Sequence, residues 1–356
     1  MITFAIGLSI VLLFVILFLL FRIGTLASIF RGSSQRAVGT TRTSNRVNST
    51  LFLLFLILGG AAFVWSFADS WDTMNLPLAS VHGEWTDDLF WTTMIVIGVV
   101  FVITQILLFI YSFKYQHKDD KRAYYYPHNN KLEIVWTMIP AVVMALLVFG
   151  GWKTWTKITS AAPEDAVVIE VMGKQFNWMV RYPGADGQLG VAKHTLIDAT
   201  NEFGVDFSDP AAKDDFMPME IHVPKGQPVL FKIRSRDVIH SVFLPHFRVK
   251  MDAVPGMPTK FWFVPTKTTD EMRSETGNPD FKYELACTEI CGRGHFAMRY
   301  ILVVDEPEDY QAWLAKQTPF AEQNPEVVAK FSSSSSQKTV AENNTVVTTE
   351  EVKSEL

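Results

Sequence analysis

Both cysteines of the chain fall in one segment, Cys287-Thr-Glu-Ile-Cys291-Gly-Arg-Gly-His295-Phe-Ala-Met298. Two thiolates four residues apart, an imidazole four further and a thioether three further form the soft ligand set that suits copper. One Cys, two His and a distant Met on a β-sandwich make a blue-copper site, in which a Cys–His–Met loop joins the last two strands. The second thiolate here allows two metals to share two bridging sulfurs. The missing histidine must come from an earlier strand end, and His222, His240 and His246 are the candidates. His240 is the best placed, since it ends the run Arg236-Asp237-Val238-Ile239 and precedes a hydrophobic stretch. Other chemistries use the same residue types. Two cysteines in an exported domain commonly form a disulfide, redox pairs use Cys-x-x-Cys in a βαβ setting, and methionine is not a usual zinc ligand. Copper is preferred because it uses the His and the Met at their spacings. His222 and His246 then read as ordinary surface or loop histidines, and the remaining methionines as core filling.

The elements that must position these ligands are short β-rich runs beginning near Ala166. They are Val167–Val171, Phe176–Tyr182, Met219–Val223, Pro228–Arg234, Ser241–Leu244, Lys260–Val264, Lys282–Cys287 and Phe296–Val304. Turn signals such as Pro183-Gly184 and Pro255-Gly256 separate them, the pattern of an all-β sandwich or barrel. Gly187–Pro218 is a long irregular excursion, Glu308–Lys316 a short helix, and Phe331–Leu356, with its Ser332–Ser336 run, a disordered tail. There is no Walker loop, GxGxxG motif or CxxCH haem-attachment site.

The first part of the chain differs in kind. Of 356 residues, 48% are hydrophobic and 19% charged, with mean hydropathy +0.14. Divided at Trp152, the first 152 residues carry a net charge of +2 and few charges, and the rest a net −7. The first part has the charge density of a membrane anchor and the second that of a soluble domain. A purely soluble enzyme, a nucleic-acid binder and a transporter filling the whole chain are poor readings of that division. Four charge-free stretches, Met1–Phe21, Leu51–Ala68, Leu89–Phe113 and Ile134–Trp152, are long enough to span a bilayer. Residues 25–50 carry four arginines and no acid, 69–88 carry five acids and no base, and 114–131 are rich in lysine. Positive loops stay inside, so the soluble domain faces the external side. Glu133 lies at the cytoplasmic mouth of the last helix. On physical grounds alone it reads first as a carboxylate favoured by the helix dipole, and second as a proton-path residue.

Asp237-Val-Ile-His240-Ser, Lys250-Met-Asp252-Ala-Val-Pro-Gly256 and Cys287-x3-Cys291-x3-His295-x2-Met298 together resemble subunit II of haem–copper cytochrome c oxidases. Leu132-Glu133-Ile-Val-Trp136-Thr-Met-Ile-Pro140 is similar to the start of that family's second hairpin helix. The resemblance covers roughly residues 89–306 and implies a hairpin of two helices before an all-β cupredoxin-like sandwich; with the apolar pair that precedes it, the expected fold is a membrane α-helical anchor of about four transmembrane helices plus that sandwich. It implies a mixed-valence dinuclear CuA centre. Cys287 and Cys291 would bridge both ions, and His240 and His295 would bind one each, with Met298 and the backbone carbonyl of Glu289 completing the set. The Glu289 side chain would contact magnesium at the interface with subunit I, and Glu133 would stand at a proton-channel entrance, which reverses its order of readings.

The family takes electrons from cytochrome c through an aromatic segment, here Gly173-Lys174-Gln175-Phe176-Asn177-Trp178, with Phe176 where many members have tryptophan. Phe176 and Trp178 are therefore the expected electron entrance. The copper domain is only weakly acidic, with 21 acids against 18 bases over residues 153–306, so steering of a basic donor is modest. The expected division is 1–68, an extra transmembrane helix pair; 89–152, a transmembrane hairpin; 160–306, a periplasmic cupredoxin domain; and 307–356, a short helix and disordered tail. The extra helices are expected to pack on other oxidase subunits, with a membrane-tethered or complex-bound haem c as donor, in a supercomplex, in the bacterial cytoplasmic membrane. No haem is expected in this chain and no nucleic acid as partner. The rivals are a copper-free quinol oxidase subunit, a membrane-anchored copper chaperone, and the copper domain of nitrous oxide reductase.

Overall fold

The computed structural model describes residues 2–30, 42–116, 118 and 121–331. They form two compact units, one of Met1–Asp72 with Met94–Thr137 and one of Thr73–Thr93 with Met138–Leu356. The helices are α1 (Ile2–Phe30), α2 (Arg42–Asp69), a single turn α3 (Trp71–Met74), α4 (Val81–Lys114) and α5 (Asn130–Ile158). Among the described residues three helices are long and apolar enough to cross a membrane, Ser44–Asp69, Val81–Lys114 and Asn130–Ile158. In α1 the described side chains form a shorter apolar run, Leu12–Gly24. The expected loop over 25–50 is helical at both ends, because α1 continues to Phe30 and α2 starts at Arg42. Phe55, Trp65, Ile95 and Leu146 are exposed, as they are on helices whose solvent is hydrocarbon. Phe109 packs between Phe52 and Phe55 of α2, with ring centroids 5.8 and 5.7 Å away.

The second unit is a sandwich of two sheets. Its strands are β1 (Val167–Lys174), β2 (Asn177–Arg181), β3 (Ile221–Pro224), β4 (Val229–Ser235), β5 (His240–Leu244), β6 (Val249–Ala253), β7 (Thr259–Phe263), β8 (Tyr283–Cys287) and β9 (Arg299–Asp305). One sheet runs β2-β1-β4-β7 and the other β3-β9-β8-β5-β6. Residues of alternate parity point to one face of a strand, and the buried positions follow that rule. Val229, Phe231 and Ile233 of β4 and Tyr283, Leu285 and Cys287 of β8 all point inward. Cys287 thus ends a core-facing row. The pairings β1·β4 and β3·β9 are parallel, and the neighbours of β8 are antiparallel.

Three helices complete the unit: α6 (Thr269–Thr276), α7 (Pro307–Leu314) and α8 (Phe320–Gln323). β6 and α6 were not expected. α6 has a capping box, Thr268 with Glu271, and ends at Gly277 in the left-handed region. The excursion before β3 is irregular apart from two short 3-10 turns, and packs a second cluster of Met172, Phe203, Phe207, Val327 and Phe331. Phe331, placed at the head of the expected tail, is buried at the end of a helical stretch over 325–331, because its ring completes that cluster. Residues 332–356 of that tail lie outside the described residues. The start of α4 is tied to the sandwich by Arg248, which donates to both carboxylate oxygens of Asp87 at 2.9 Å and to the Leu76 carbonyl.

Candidate metal centre

β5 begins at His240 and β8 ends at Cys287, and the two strands pair with Val242 opposite Cys287. That register brings His240 Nδ1 to 3.9 Å from Cys287 Sγ. After Cys287 the chain turns through Cys291 and a 3-10 turn at His295–Ala297, then enters β9. The loop is closed at its base by the Cys287 amide donating to the Met298 carbonyl, and Thr288 N donates to Ser241 O. The Cys287 and Cys291 sulfurs lie 4.0 Å apart, about twice the length of a disulfide bond, and both cysteines are free. Cys291 Sγ is 3.6 Å from His295 Nδ1 and 3.3 Å from Met298 Sδ, and Cys287 Sγ is 3.3 Å from the Glu289 carbonyl oxygen. His240, Cys287 and Cys291 form a group whose ligand atoms all lie within 4.8 Å of one another.

The six expected donors are therefore contiguous. Two thiols, two imidazoles, a thioether and a carbonyl around unbonded sulfurs fit a soft or borderline metal, and the shared sulfurs fit more than one ion. His240, Cys287, Cys291 and Met298 are buried, whereas His295 is half-buried. Burial and the adjacent Cys287 sulfur push the Cys291 thiol up to about 11, so a metal must displace protons to bind.

Further bonds hold this set, from residues that stand inside the quoted motifs without a role of their own. Asp237 Oδ1 is 2.8 Å from His240 Nε2, which leaves Nδ1 as the metal-facing nitrogen. Burial pushes the Asp237 carboxyl up, but bonds from the Gln175 amide, His240 and the Val238 amide outweigh it and hold the group below its ordinary value. Gln175 Nε2 donates to the Cys291 carbonyl at 2.6 Å. Gly173 gives room for the His240 ring, since a Cβ there would stand 2.8 Å from it. Gly294 does the same for Phe176, where a Cβ would stand 2.5 Å from the ring. Both aspects were hidden in sequence, because Gln175 and Cys291 are 116 residues apart.

The remaining expected residues separate clearly. Phe176 is 39% exposed and lies over Gly292 and Gly294 in the loop between β8 and β9. Trp178 is buried with its ring edge-on to His240, centroids 5.9 Å apart, so of the two aromatics only Phe176 reaches the surface. His222 accepts or donates at Asp305, 2.6 Å away, and stacks on Trp313, while His246 Nδ1 lies 2.9 Å from the Pro77 carbonyl. Neither joins the cluster. Glu289 is exposed. Glu133 accepts from the Asn129 amide at 3.2 Å while Asn129 Oδ1 accepts from the Leu132 amide, a reciprocal cap on the first turn of α5.

Comparison with known proteins adds the following. The family model described as cytochrome C oxidase subunit II, transmembrane domain, matches residues 70–153, and the one described as its periplasmic domain matches residues 167–305. An alternative cytochrome c oxidase subunit 2 of Bradyrhizobium diazoefficiens is 34% identical over 286 residues, which cover 79% of this chain and 97% of the relative. A heme-copper oxidase subunit 2 of Aeropyrum pernix is 28% identical over 264 residues, 69% of this chain and 97% of that one. A cytochrome c oxidase subunit 2 of Cereibacter sphaeroides is 27% identical over 235 residues, 62% of this chain and 72% of that one.

Proposed function

The chain belongs to the cytochrome c oxidase subunit II family, and on that premise we propose that it takes up electrons one at a time at a dinuclear CuA-type centre and passes them to haem in oxidase subunit I. The observation that carries the reading is the pair of unbonded sulfurs, 4.0 Å apart, with an imidazole nitrogen on either side. Cys287 and Cys291 would hold both ions, His240 and His295 one each, and Met298 and the Glu289 carbonyl would complete the two coordination spheres. A bound copper pair supplies a one-electron carrier that shares its unpaired electron. The protein's part is to keep the ligands still. Asp237 orients His240, Gln175 pins the loop at Cys291, and the Cys287–Met298 backbone bond fixes the loop ends. Ligands that do not move on oxidation keep the cost of each transfer low.

Electrons would enter beside Phe176, the exposed ring over the copper loop, with Trp178 behind it against His240. The donor would be cytochrome c or a membrane-tethered haem c, within a supercomplex, and helices α1 and α2 would pack on other oxidase subunits in the bacterial cytoplasmic membrane. The exposed Glu289 carboxylate would reach magnesium at the boundary with subunit I. Glu133, held at the start of α5, would accept protons at a channel entrance. The domain boundaries proposed are 1–68, 89–152, 160–306 and 307–356.

Copper analysis with electron paramagnetic resonance on the purified chain tests the central claim. Two coppers per chain sharing one unpaired electron are expected, and a mononuclear signal or no copper overturns it. Glu133→Gln is expected to slow oxidase turnover with the copper signal unchanged, and wild-type turnover would remove Glu133 from the proton path.

A further inference from the structure

A second sulfur-rich site stands beside the copper centre. Met179, Met217 and Met219 line one cavity of about 580 Å³, and Trp178 and Tyr300 form part of its wall. Met179 and Met217 pack on the second apolar cluster, as core-filling methionines do. Met219 does not. It is 86% exposed, so burial gives no reason for a thioether there. The segment is held in place, because the Tyr300 hydroxyl donates to the Pro218 carbonyl at 2.5 Å, fixing Met217-Pro218-Met219 against β9.

The position of the cavity supplies its meaning. Tyr300 is two residues beyond Met298, and Trp178 meets the ring of His240. One wall thus meets an expected copper ligand, and the other lies two residues along the chain from one. Those ligands are themselves closed off, with His240 wholly buried and Met298 and Cys291 nearly so. An ion needs an outer foothold before it reaches them. Thioethers are soft, neutral donors that favour Cu(I), and they hold it without first losing a proton, which the thiols must do.

We propose that Met217 and Met219, with Met179 behind them, form an acquisition site for Cu(I) that feeds the dinuclear centre. This rests on the copper reading above. The step is a ligand exchange with no change of oxidation state: thioether–copper bonds break, thiolate–copper bonds form at Cys287 and Cys291, and the two thiol protons leave to water.

The test uses the full-length, copper-free chain in detergent, without oxygen, with Cu(I) presented from a competing chelator. In a Cys287→Ser/Cys291→Ser chain, one Cu(I) per molecule is expected to remain bound, and adding Met217→Leu/Met219→Leu is expected to weaken it at least tenfold. No Cu(I) in the serine chain, or equal binding after the methionine changes, overturns the proposal. Leucine conserves volume, so folding is preserved. With the cysteines intact, Met217→Leu/Met219→Leu is expected to slow Cu(I) protection of the thiols about tenfold while the final extent of thiol protection equals that of the unmodified chain. An unchanged rate overturns the site. An unmodified chain that never reaches two coppers overturns the dinuclear reading instead, and the serine-chain measurement still decides the methionines.

Discussion

His240 and Cys287 come from paired strands, whereas Cys291, His295 and Met298 come from the loop that joins β8 to β9. In the strand half, ladder register places the side chains, a carboxylate orients the imidazole, and burial is complete or nearly so. In the loop half, Cys291 and Met298 are as well buried but His295 is half-buried, and the loop is held by Gln175 and by its closed base. The difference teaches that one half is built by the fold and the other is arranged by a few long-range bonds. Metal affinity should therefore be anchored at the strand half, while adjustment during loading falls to the loop.

The sharpest way to break that comparison is to remove one sulfur at a time. Either Cys287→Ser or Cys291→Ser is expected to abolish a dinuclear signal completely. In a Met217→Leu/Met219→Leu background, Cys291→Ser should still bind one copper at His240 and Cys287, and Cys287→Ser should bind less than one, as measured by copper per chain. Equal residual copper in the two variants would erase the distinction. Next in size is a lesion of the scaffold away from the metal. Arg181 is buried between Glu170 and Asp215, with bonds of 2.7 and 2.6 Å, and also reaches the Gly190 carbonyl. Arg181→Met leaves the buried Asp215 without its cation and Glu170 with Arg234 alone, and should lower unfolding free energy by about 3–5 kcal/mol. Denaturant unfolding would read this, with the copper spectrum of the folded fraction unchanged. A changed spectrum would show that the strand half is not independent of its support.

Smaller effects separate the two supporting bonds. Asp237→Asn should lower copper affinity roughly 10–100-fold by loosening His240, seen in chelator competition. Gln175→Ala removes one bond to the loop and should cost about 1 kcal/mol of stability, with a smaller loss of affinity than Asp237→Asn. The reverse order would place the stiff half in the loop.

Much of the donor set was legible in the chain because it is local. Cys287, Cys291, His295 and Met298 lie within twelve residues, and His240 stands at the start of an obvious strand. The sandwich was legible from apolar runs cut by Pro and Gly. What stayed hidden depends on distance or on weak local pattern. β6 carries Lys250 and Asp252 in an otherwise short run, and it is a strand because β5 pairs with it across five residues. α6 is polar, and its sequence signals, the Thr268/Glu271 box and Gly277, mark ends without an apolar stripe between them. The burial of Trp178 and of Phe331 follows from packing partners far along the chain. Exposure of Met219 is invisible for the same reason.

The closed base of the loop between β8 and β9 bears on the order of events in biogenesis. His240 and Cys287 are 47 residues apart, and they meet only when β5 and β8 have paired. Non-local pairings of this kind form late, after the entropy of closing the intervening chain has been met. A zinc finger folds around its ion; here the sheet must form before His240 can join the donors that Cys287, Cys291, His295 and Met298 already offer locally. The complete donor set is thus a product of the finished sheet, and a metal held by all of it would be enclosed only after β5 and β8 have paired.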